Sequence, residues 1–262
     1  MRIVLTQPKA RLADGTDIGR AAATLKRHGF TGEPGDIILL PEVIGEGYSA
    51  SEYASAIAEM ARAFGCHVVG GSQFDTSQVQ PPNQGIVVDP LGDIIAHYQK
   101  ANPYGRERQF ARPGDRAGAS FRINGVECFV SVCADFFHAE TYRTLDVAPD
   151  LILVPALSVS RKSSPDMARA RWRHAMIARA FEQAAFVAVS DWAYPVRTGG
   201  DLPSSGIAGL AHPDPETSSQ MLRTLGRSQV RVFDIDLDAA RALRADQRAR
   251  GFEIARARQE QT

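Results

Sequence analysis

Short apolar runs alternate with amphipathic segments along the 262-residue chain. Runs of about four to eight apolar residues are typical of strands, whereas apolar positions three or four residues apart are typical of helices. The runs predict strands at 2–7, 36–41, 66–71, 126–132, 150–154, 186–190, 206–211 and 228–236. The amphipathic segments predict helices at 16–28, 51–64, 138–145, 165–183 and 238–249. This alternation indicates an α/β fold.

Residues 84–99 predict a β-hairpin, because the turn-forming sequence Asp89-Pro90-Leu91-Gly92-Asp93 separates two β-type runs. A hairpin beside βα units argues against a wholly parallel sheet. The segment 100–119 is irregular and rich in proline and glycine, and loops of that length in compact domains are usually functional or disordered. No repeat, low-complexity tract or linker is evident, so we expect one domain spanning 1–262.

Three of the strand-like segments are followed by a charged or reactive side chain. Glu42 follows the run at 36–41, Lys100 follows the hairpin, and Cys133 follows the run at 126–132. Open α/β sheets place their chemistry at the carboxyl ends of strands, so a carboxylate, an amine and a thiol are expected near one another. Each residue also has a structural interpretation: Cys133 as a small buried hydrophobe, Glu42 as a carboxylate leading a helix, and Lys100 as a solvent-facing lysine.

Three short motifs occur in order along the chain: Leu40-Pro41-Glu42, Tyr98-Gln99-Lys100 and Val132-Cys133-Ala134-Asp135. Together they resemble the signatures of the nitrilase superfamily, the carbon–nitrogen hydrolases. Weaker matches extend the resemblance over most of the chain, at Gln7, 107–115, 180–189, 205–213 and 232–237. The resemblance implies a four-layer α-β-β-α sandwich, in which two mixed sheets face each other and helices lie outside.

Hydrolysis of a C–N bond by a family member of this kind gives each motif residue an expected role. A thiol is mostly protonated near pH 7, so the nucleophile Cys133 needs a base, and Glu42 is the expected base and proton shuttle. Lys100 and the backbone N–H of Ala134 are expected to stabilise the oxyanion. By resemblance, Glu107 is a second glutamate that positions substrate or Lys100; the alternative is a surface glutamate between two arginines. The scheme requires no metal and no organic cofactor.

The sequence after Cys133 departs from the family pattern, in which an aromatic residue and an acid precede Phe-Pro-Glu. Ala134 replaces the aromatic residue, and His138-Ala139 replaces Phe-Pro, whereas Asp135 keeps the acid. Nitrile-hydrolysing members typically have Trp-Glu after the cysteine, so this sequence favours amide substrates.

Four residues close to the strand ends are predicted to contact substrate: Ala134, His138, Asp191 and Trp192. A histidine in such a position is more often a hydrogen-bonded structural group. The pair at 191–192 equally fits side chains packed beneath a surface loop at 198–205.

Composition limits the classes of partner. Thirty basic side chains balance thirty acidic ones, so no overall field attracts nucleic acid or an anionic membrane. No apolar stretch is long enough to span a bilayer, and the first residues resemble a strand rather than a signal peptide. The three cysteines, Cys66, Cys128 and Cys133, cannot all pair, which fits a reducing cytoplasm. The six histidines are scattered and predict no metal site.

The C-terminal segment is rich in arginine: Arg241, Arg244, Arg248, Arg250, Arg256 and Arg258. Acidic residues are interspersed, which indicates a solvated helical face. Family members usually dimerise through outer helices and C-terminal tails, so the resemblance implies a homodimer or higher homo-oligomer in which some of these arginines contact another subunit.

The sequence therefore predicts a hydrolase that cleaves a non-peptide C–N bond of a linear amide or N-carbamoyl compound through a cysteine thioester, releasing ammonia or an amine. One alternative is a ligand-binding member that has lost catalysis, suggested by the altered positions 134 and 138–139. Another is an acyl transferase, or an enzyme that supplies ammonia to a partner.

Overall fold

Two β-sheets lie face to face in the computed structural model, which describes residues 1–197 and 202–252. The strands are β1 (Arg2–Thr6), β2 (Ile37–Leu39), β3 (His67–Val69), β4 (Gln73–Phe74), β5 (Asn83–Val88), β6 (Ile94–Gln99), β7 (Ala119–Ile123), β8 (Val126–Val130), β9 (Leu151–Pro155), β10 (Phe186–Ser190), β11 (Gly209–Ala211), β12 (Leu222–Thr224) and β13 (Val230–Asp234). The α-helices are α1 (Asp17–Arg27), α2 (Ala50–Phe64), α3 (Glu140–Arg143), α4 (Asp166–Gln183) and α5 (Leu237–Ala249).

Both sheets are mixed. The first has the order β13-β1-β2-β3-β5-β4, with β6 also paired to β5; β1, β2 and β3 are parallel, and the other pairings are antiparallel. The second has the order β12-β11-β10-β9-β8-β7, with β8, β9 and β10 parallel. The predicted α/β fold with two mixed sheets in a four-layer sandwich is confirmed.

Alternate residues of the first sheet belong to different cores, which explains why its strands appear as continuous apolar runs. Ile3 and Leu5 of β1 lie in the core between the two sheets, whereas Val4 lies in the core beneath α1 and α2. All three side chains are fully buried. A strand that is covered on both faces has no polar alternation.

Helix α2 shows how local sequence sets the limits of these outer helices. Ser49 accepts a hydrogen bond from the backbone N–H of Glu52, whose side chain bonds back to Ser49, and Gly65 ends the helix in the left-handed conformation. Among the helices of residues 1–197 and 202–252, none is long and apolar enough to cross a bilayer.

The observed strands differ from the predicted ones mainly at the site and at the sheet edges. Strand β2 ends at Leu39 and β8 at Val130, two residues before the ends of the predicted runs. The short edge strands β4 and β12 and the strand β7 were not predicted. Strand β7 alternates buried and exposed residues over only five positions, and its first residue is the last one of the irregular segment at 100–119.

Two of the C-terminal arginines anchor α5 to the second sheet rather than lying free in solvent. Arg241 and Arg244 pair with the buried carboxylate of Asp150 at 3.4 and 3.1 Å. The predicted subunit contacts of Arg256 and Arg258 fall outside the described residues.

Hydrogen bonds join the two sheets at the carboxyl ends of β1, β2 and β10. The hydroxyl of Ser190 donates to the carbonyl of Leu39 at 2.7 Å and accepts from the backbone N–H of Thr6 at 3.0 Å. The hydroxyl of Thr6 donates to the same carbonyl at 2.9 Å. All three residues are buried. Directional bonds of this kind fix the position of one sheet relative to the other. They do so at Leu39, three residues before Glu42.

Gly71 allows the chain after β3 to approach the segment that carries Glu42. Its φ is +73°, and a Cβ at this position would lie 2.1 Å from the carbonyl oxygen of Pro41. The backbone conformation and the lack of space therefore both require glycine.

Replacing Gly71 with alanine tests this close approach. Gly71→Ala should destabilise the protein by about 1–2 kcal/mol for the left-handed conformation and by about 1–3 kcal/mol more for the overlap with Pro41. Gly29→Ala is the matched control, because Gly29 has a φ of +67° but nothing within 4 Å of an added Cβ. Urea unfolding measures both changes, and equal losses of stability would contradict the proposed close contact.

Candidate active site

Three strand ends bring Glu42, Lys100 and Cys133 together. Glu42 follows β2, Lys100 directly follows β6, and Cys133 follows β8. The Nζ of Lys100 lies 2.7 Å from Oε1 of Glu42, and both side chains are only 2% exposed. The thiol of Cys133 interacts with the Glu42 carboxylate and lies within the field of the Lys100 ammonium group. The expected meeting of carboxylate, amine and thiol is therefore present.

Glu107 completes a buried arrangement of one ammonium group between two carboxylates. Its Oε2 accepts a hydrogen bond from Nζ of Lys100 at 2.5 Å, and its side chain is 15% exposed. The Nδ2 of Asn83 donates to Glu42 at 2.8 Å and to Glu107 at 2.7 Å. Sequence reasoning did not assign Asn83 to the site, although its place at the start of the hairpin that leads to Lys100 was a usable signal.

Cys133 has an unusual backbone conformation. It begins a short 3₁₀ turn, Cys133–Phe137, and its φ is +45°. Non-glycine residues rarely adopt this region, and such strain concentrates at functional sites. Its Sγ donates to the carbonyl oxygen of Leu157, a residue that follows β9, at 3.7 Å. Val43, next to Glu42, also has a positive φ, of +54°. Strained backbone thus flanks the contact on two sides.

Asp135 joins the turn that carries Cys133 to the segment that follows Lys100. Its fully buried carboxylate accepts hydrogen bonds from the backbone N–H groups of Ala101 and Asn102 at 2.7 and 2.9 Å. It also accepts a bond from the side-chain amide of Asn102 at 2.7 Å. The family motif alone predicts no role for this acid, whereas the structure shows that it positions the segment after Lys100.

Burial and mutual charge set the ionisation of the cluster. Burial raises the pKa of Glu42, and this effect exceeds that of the positive charge of Lys100, which lowers it. Burial alone would lower the pKa of Lys100, but the neighbouring carboxylates of Glu42 and Glu107 outweigh burial and raise it. Burial and the charge of Glu42 raise the pKa of Cys133 well above its ordinary value. The resting cluster therefore holds a neutral thiol beside a carboxylate–ammonium pair.

A cavity of about 270 Å³ opens at Cys133, just below the roughly 300–1,000 Å³ range of small-molecule sites. The predicted contact residues Ala134 and His138 both line it, together with the aromatic side chains of Phe137 and Trp172. A small molecule in this cavity would lie against the thiol. Across 1–197 and 202–252, no group of three or more His, Cys, Asp or Glu side chains is arranged to hold a metal ion.

The other two predicted contact residues, Asp191 and Trp192, do not lie on the cavity wall. Both are fully buried. The Nε1 of Trp192 donates to the backbone carbonyl of Glu42 at 2.8 Å. The carboxylate of Asp191, whose pKa burial raises to about 6, accepts hydrogen bonds from Ser158 and from the N–H of Ile207. Asp191 therefore holds the wall residue Ser158 from behind, and Trp192 holds the backbone of Glu42; the predicted contact of either with substrate stays a prediction.

Comparisons with known proteins identify the family of the chain. The family model for carbon–nitrogen hydrolases matches residues 27–245. A protein named nitrilase from Pyrococcus abyssi is 28% identical in an alignment of 219 residues that covers 77% of each chain.

Solved structures share the whole fold. One is a glutamate-to-glutamine variant of the amidase from Nesterenkonia sp. AN1 that shows Michael addition of acrylamide at the active-site cysteine. It is 26% identical, covers 96% of this chain and 99% of its own, and gives a TM-score of 0.70. A CN-hydrolase superfamily protein from Xanthomonas campestris, with an arsenic adduct in its active site, has 23% identity, coverages of 95% and 94%, and a TM-score of 0.74. The chain belongs to the carbon–nitrogen hydrolase family, within the nitrilase superfamily.

Proposed function

We propose that this single-domain carbon–nitrogen hydrolase cleaves a linear amide or N-carbamoyl compound through a thioester on Cys133. The observation that carries the proposal is the buried contact of Glu42 with both Lys100 and the thiol. The nucleophile lies on the cavity wall, and a proton acceptor and a cation lie buried next to it.

In the first half of the reaction, the sulfur of Cys133 attacks the carbonyl carbon while its proton passes to Glu42. The ammonium group of Lys100 and the backbone N–H of Ala134 stabilise the oxyanion of the tetrahedral intermediate. When the C–N bond breaks, Glu42 returns the proton to the leaving nitrogen, which departs as ammonia or an amine. The acyl group remains on sulfur.

In the second half, water attacks the thioester carbon and gives a proton to Glu42. The C–S bond breaks, the proton returns to sulfur, and the acid leaves. Glu107 holds Lys100 in place throughout, because it is the second carboxylate bonded to Nζ. The net reaction consumes one water for each C–N bond cleaved.

The active-site electrostatics favour base-assisted attack over a preformed thiolate–ammonium pair. A thiol whose pKa is raised well above its ordinary value is neutral near pH 7. Glu42 therefore has to remove the proton as the S–C bond forms, and its own raised pKa suits it to accept and return that proton.

The retained Glu, Lys and Cys argue against the hypothesis that this is a ligand-binding member without catalysis. Transfer of the acyl group to an amine, or supply of ammonia to a partner, uses the same first half-reaction. Product analysis with added amines distinguishes transfer from hydrolysis.

We also infer a cytoplasmic location and a homodimeric state. All three cysteines are unpaired, as expected in a reducing compartment. The side chains of Phe181 on α4 and Phe252 after α5 are about half exposed and pack on each other, which supplies apolar area on the outer helices. Analytical ultracentrifugation tests the oligomeric state.

Ammonia release from a panel of linear amides, N-carbamoyl compounds and nitriles tests the proposed reaction. Amides or carbamoyl compounds should be hydrolysed and nitriles should not. Cys133→Ala should lose at least about 10⁴-fold in kcat, because removing a catalytic nucleophile typically costs this much or more. Lys100→Met should lose about 100- to 1,000-fold through the oxyanion. Cys66→Ala is the matched control, since Cys66 is buried away from the cavity. Full activity in Cys133→Ala would refute the mechanism.

The pH profile of kcat/KM tests the role of Glu42 as base. Burial raises its pKa, so protonation should remove the base, and activity should fall, at a higher pH than for an exposed glutamate. In Glu107→Gln this acid limb should move to lower pH, because the charge of Glu107 also raises the pKa of Glu42. The assignment of Glu42 as base would be contradicted if the acid limb of the natural protein lay at the ordinary carboxyl pKa and did not move in Glu107→Gln.

Alkylation by iodoacetamide separates thiol ionisation from catalysis. In Glu42→Gln the midpoint of the pH–rate curve at Cys133 should move to lower pH, because a charge that raises the thiol pKa is lost while Lys100 remains. Hydrolysis should nevertheless be lost with the base. Peptide mapping identifies the modified cysteine, and Cys133→Ser provides the blank. An unchanged or higher midpoint would show that Glu42 does not govern the thiol.

A further inference from the structure

The cavity at Cys133 is positively charged although the whole chain is neutral. Two guanidinium groups line it, those of Arg161 and Arg171, and His138 lies on the same wall. No Asp or Glu is among the lining residues. A cavity that is lined by cationic side chains and by no anionic ones attracts a negatively charged ligand.

Neither arginine is used by the fold. Arg161 and Arg171 are exposed and make no hydrogen bond or ion pair with the part of the chain that the structure describes. Two other helical arginines are engaged by the fold: Arg179 pairs with Glu182, and Arg244 with Asp150. Five N–H donors on each guanidinium are therefore available to a ligand in the cavity.

The segments that contain the two arginines also contribute apolar residues to the cavity wall. Arg161 follows Leu157, whose carbonyl accepts the bond from the Cys133 thiol. Arg171 precedes Trp172 on α4, and the indole ring packs against Phe137 at a centroid distance of 4.7 Å. The thiol, an apolar surface and the guanidinium groups thus share one small cavity.

We propose that the substrate is an amide that also carries a carboxylate, with a short apolar chain between the two groups. The inference rests on the proposed hydrolase function. The amide carbonyl lies at Cys133, the apolar chain lies along Phe137 and Trp172, and the carboxylate binds Arg161 and Arg171. A planar guanidinium matches a carboxylate in a two-bond geometry that a lysine does not offer.

The test compares amides of equal chain length that differ in charge. Succinamate, glutaramate and adipamate are assayed against butanamide, pentanamide and hexanamide by ammonia release. The carboxylate-bearing compound of each pair should have at least a tenfold higher kcat/KM, because a hydrogen bond to a charged group is worth about that factor or more. A cationic amide, 4-aminobutanamide, should be poorer than butanamide. Equal rates for the charged and neutral compounds would overturn the inference.

Variants identify the groups that cause the preference. Arg161→Gln and Arg171→Gln should each lower the ratio of charged to neutral kcat/KM about tenfold. Arg173→Gln is the matched control on the same helix, because Arg173 is also exposed but does not line the cavity. An equal fall of the ratio in Arg173→Gln would point to the general field of the protein rather than to a site, and would overturn the inference.

Calorimetry separates this inference from the hydrolase proposal. Glutaramate could bind Cys133→Ala, bind the double variant Cys133→Ala/Arg171→Gln more weakly, and yet not be hydrolysed by the natural protein. That result would retain the anion site and reject the hydrolase. Turnover of neutral amides without any preference for the carboxylate would retain the hydrolase and reject the anion site.

Discussion

The ion pair between Glu42 and Lys100 is the constraint on which the rest of the site depends. Both side chains are almost completely buried, and removing charges from water costs roughly several kcal/mol per ion. The cost is offset only where the remaining polar atoms are satisfied, and Glu107 and Asn83 meet that condition with bonds of 2.5–2.8 Å. Loss of one partner leaves an uncompensated buried charge at a cost of about 3–5 kcal/mol. The strands that deliver these groups therefore have to be held in fixed positions.

Directional polar contacts, more than the apolar core, provide that positional control. Apolar burial stabilises two stacked sheets but specifies little about how far one slides over the other. The hydroxyl of Ser190 bonds the carbonyl of Leu39 in the facing sheet, close to Glu42 in sequence. On the other side of the site, Asp135 bonds the backbone after Lys100. These contacts connect three separate segments of chain into one rigid frame for the thiol.

The sequence predicts the parts of the site that local pattern determines. A strand-like run followed by a charged or reactive side chain locates Glu42, Lys100 and Cys133, because strand ends of an α/β fold meet at one edge. The same rule does not predict the orientation of Trp192. A strand end shows where a residue lies but not toward which side its side chain turns, and the indole turns inward to bond the carbonyl of Glu42. The hairpin places Asn83 near Lys100, but its bond to Glu42 joins segments 41 residues apart, which no local pattern contains.

The same geometry separates the residues that act on every amide from those that can select a particular substrate. A carboxylate, an ammonium group and a thiol act on the carbonyl, the leaving nitrogen and water, and these atoms are present in every amide. The cluster of Glu42, Lys100 and Cys133 therefore cannot by itself choose among amides, and membership of the family carries no substrate with it. Choice has to reside in side chains that reach the remainder of the molecule. Arg161 and Arg171 come from a loop and a helix outside the three family motifs, and their place on the cavity wall is where substrate selection can change without disturbing the buried ion pair.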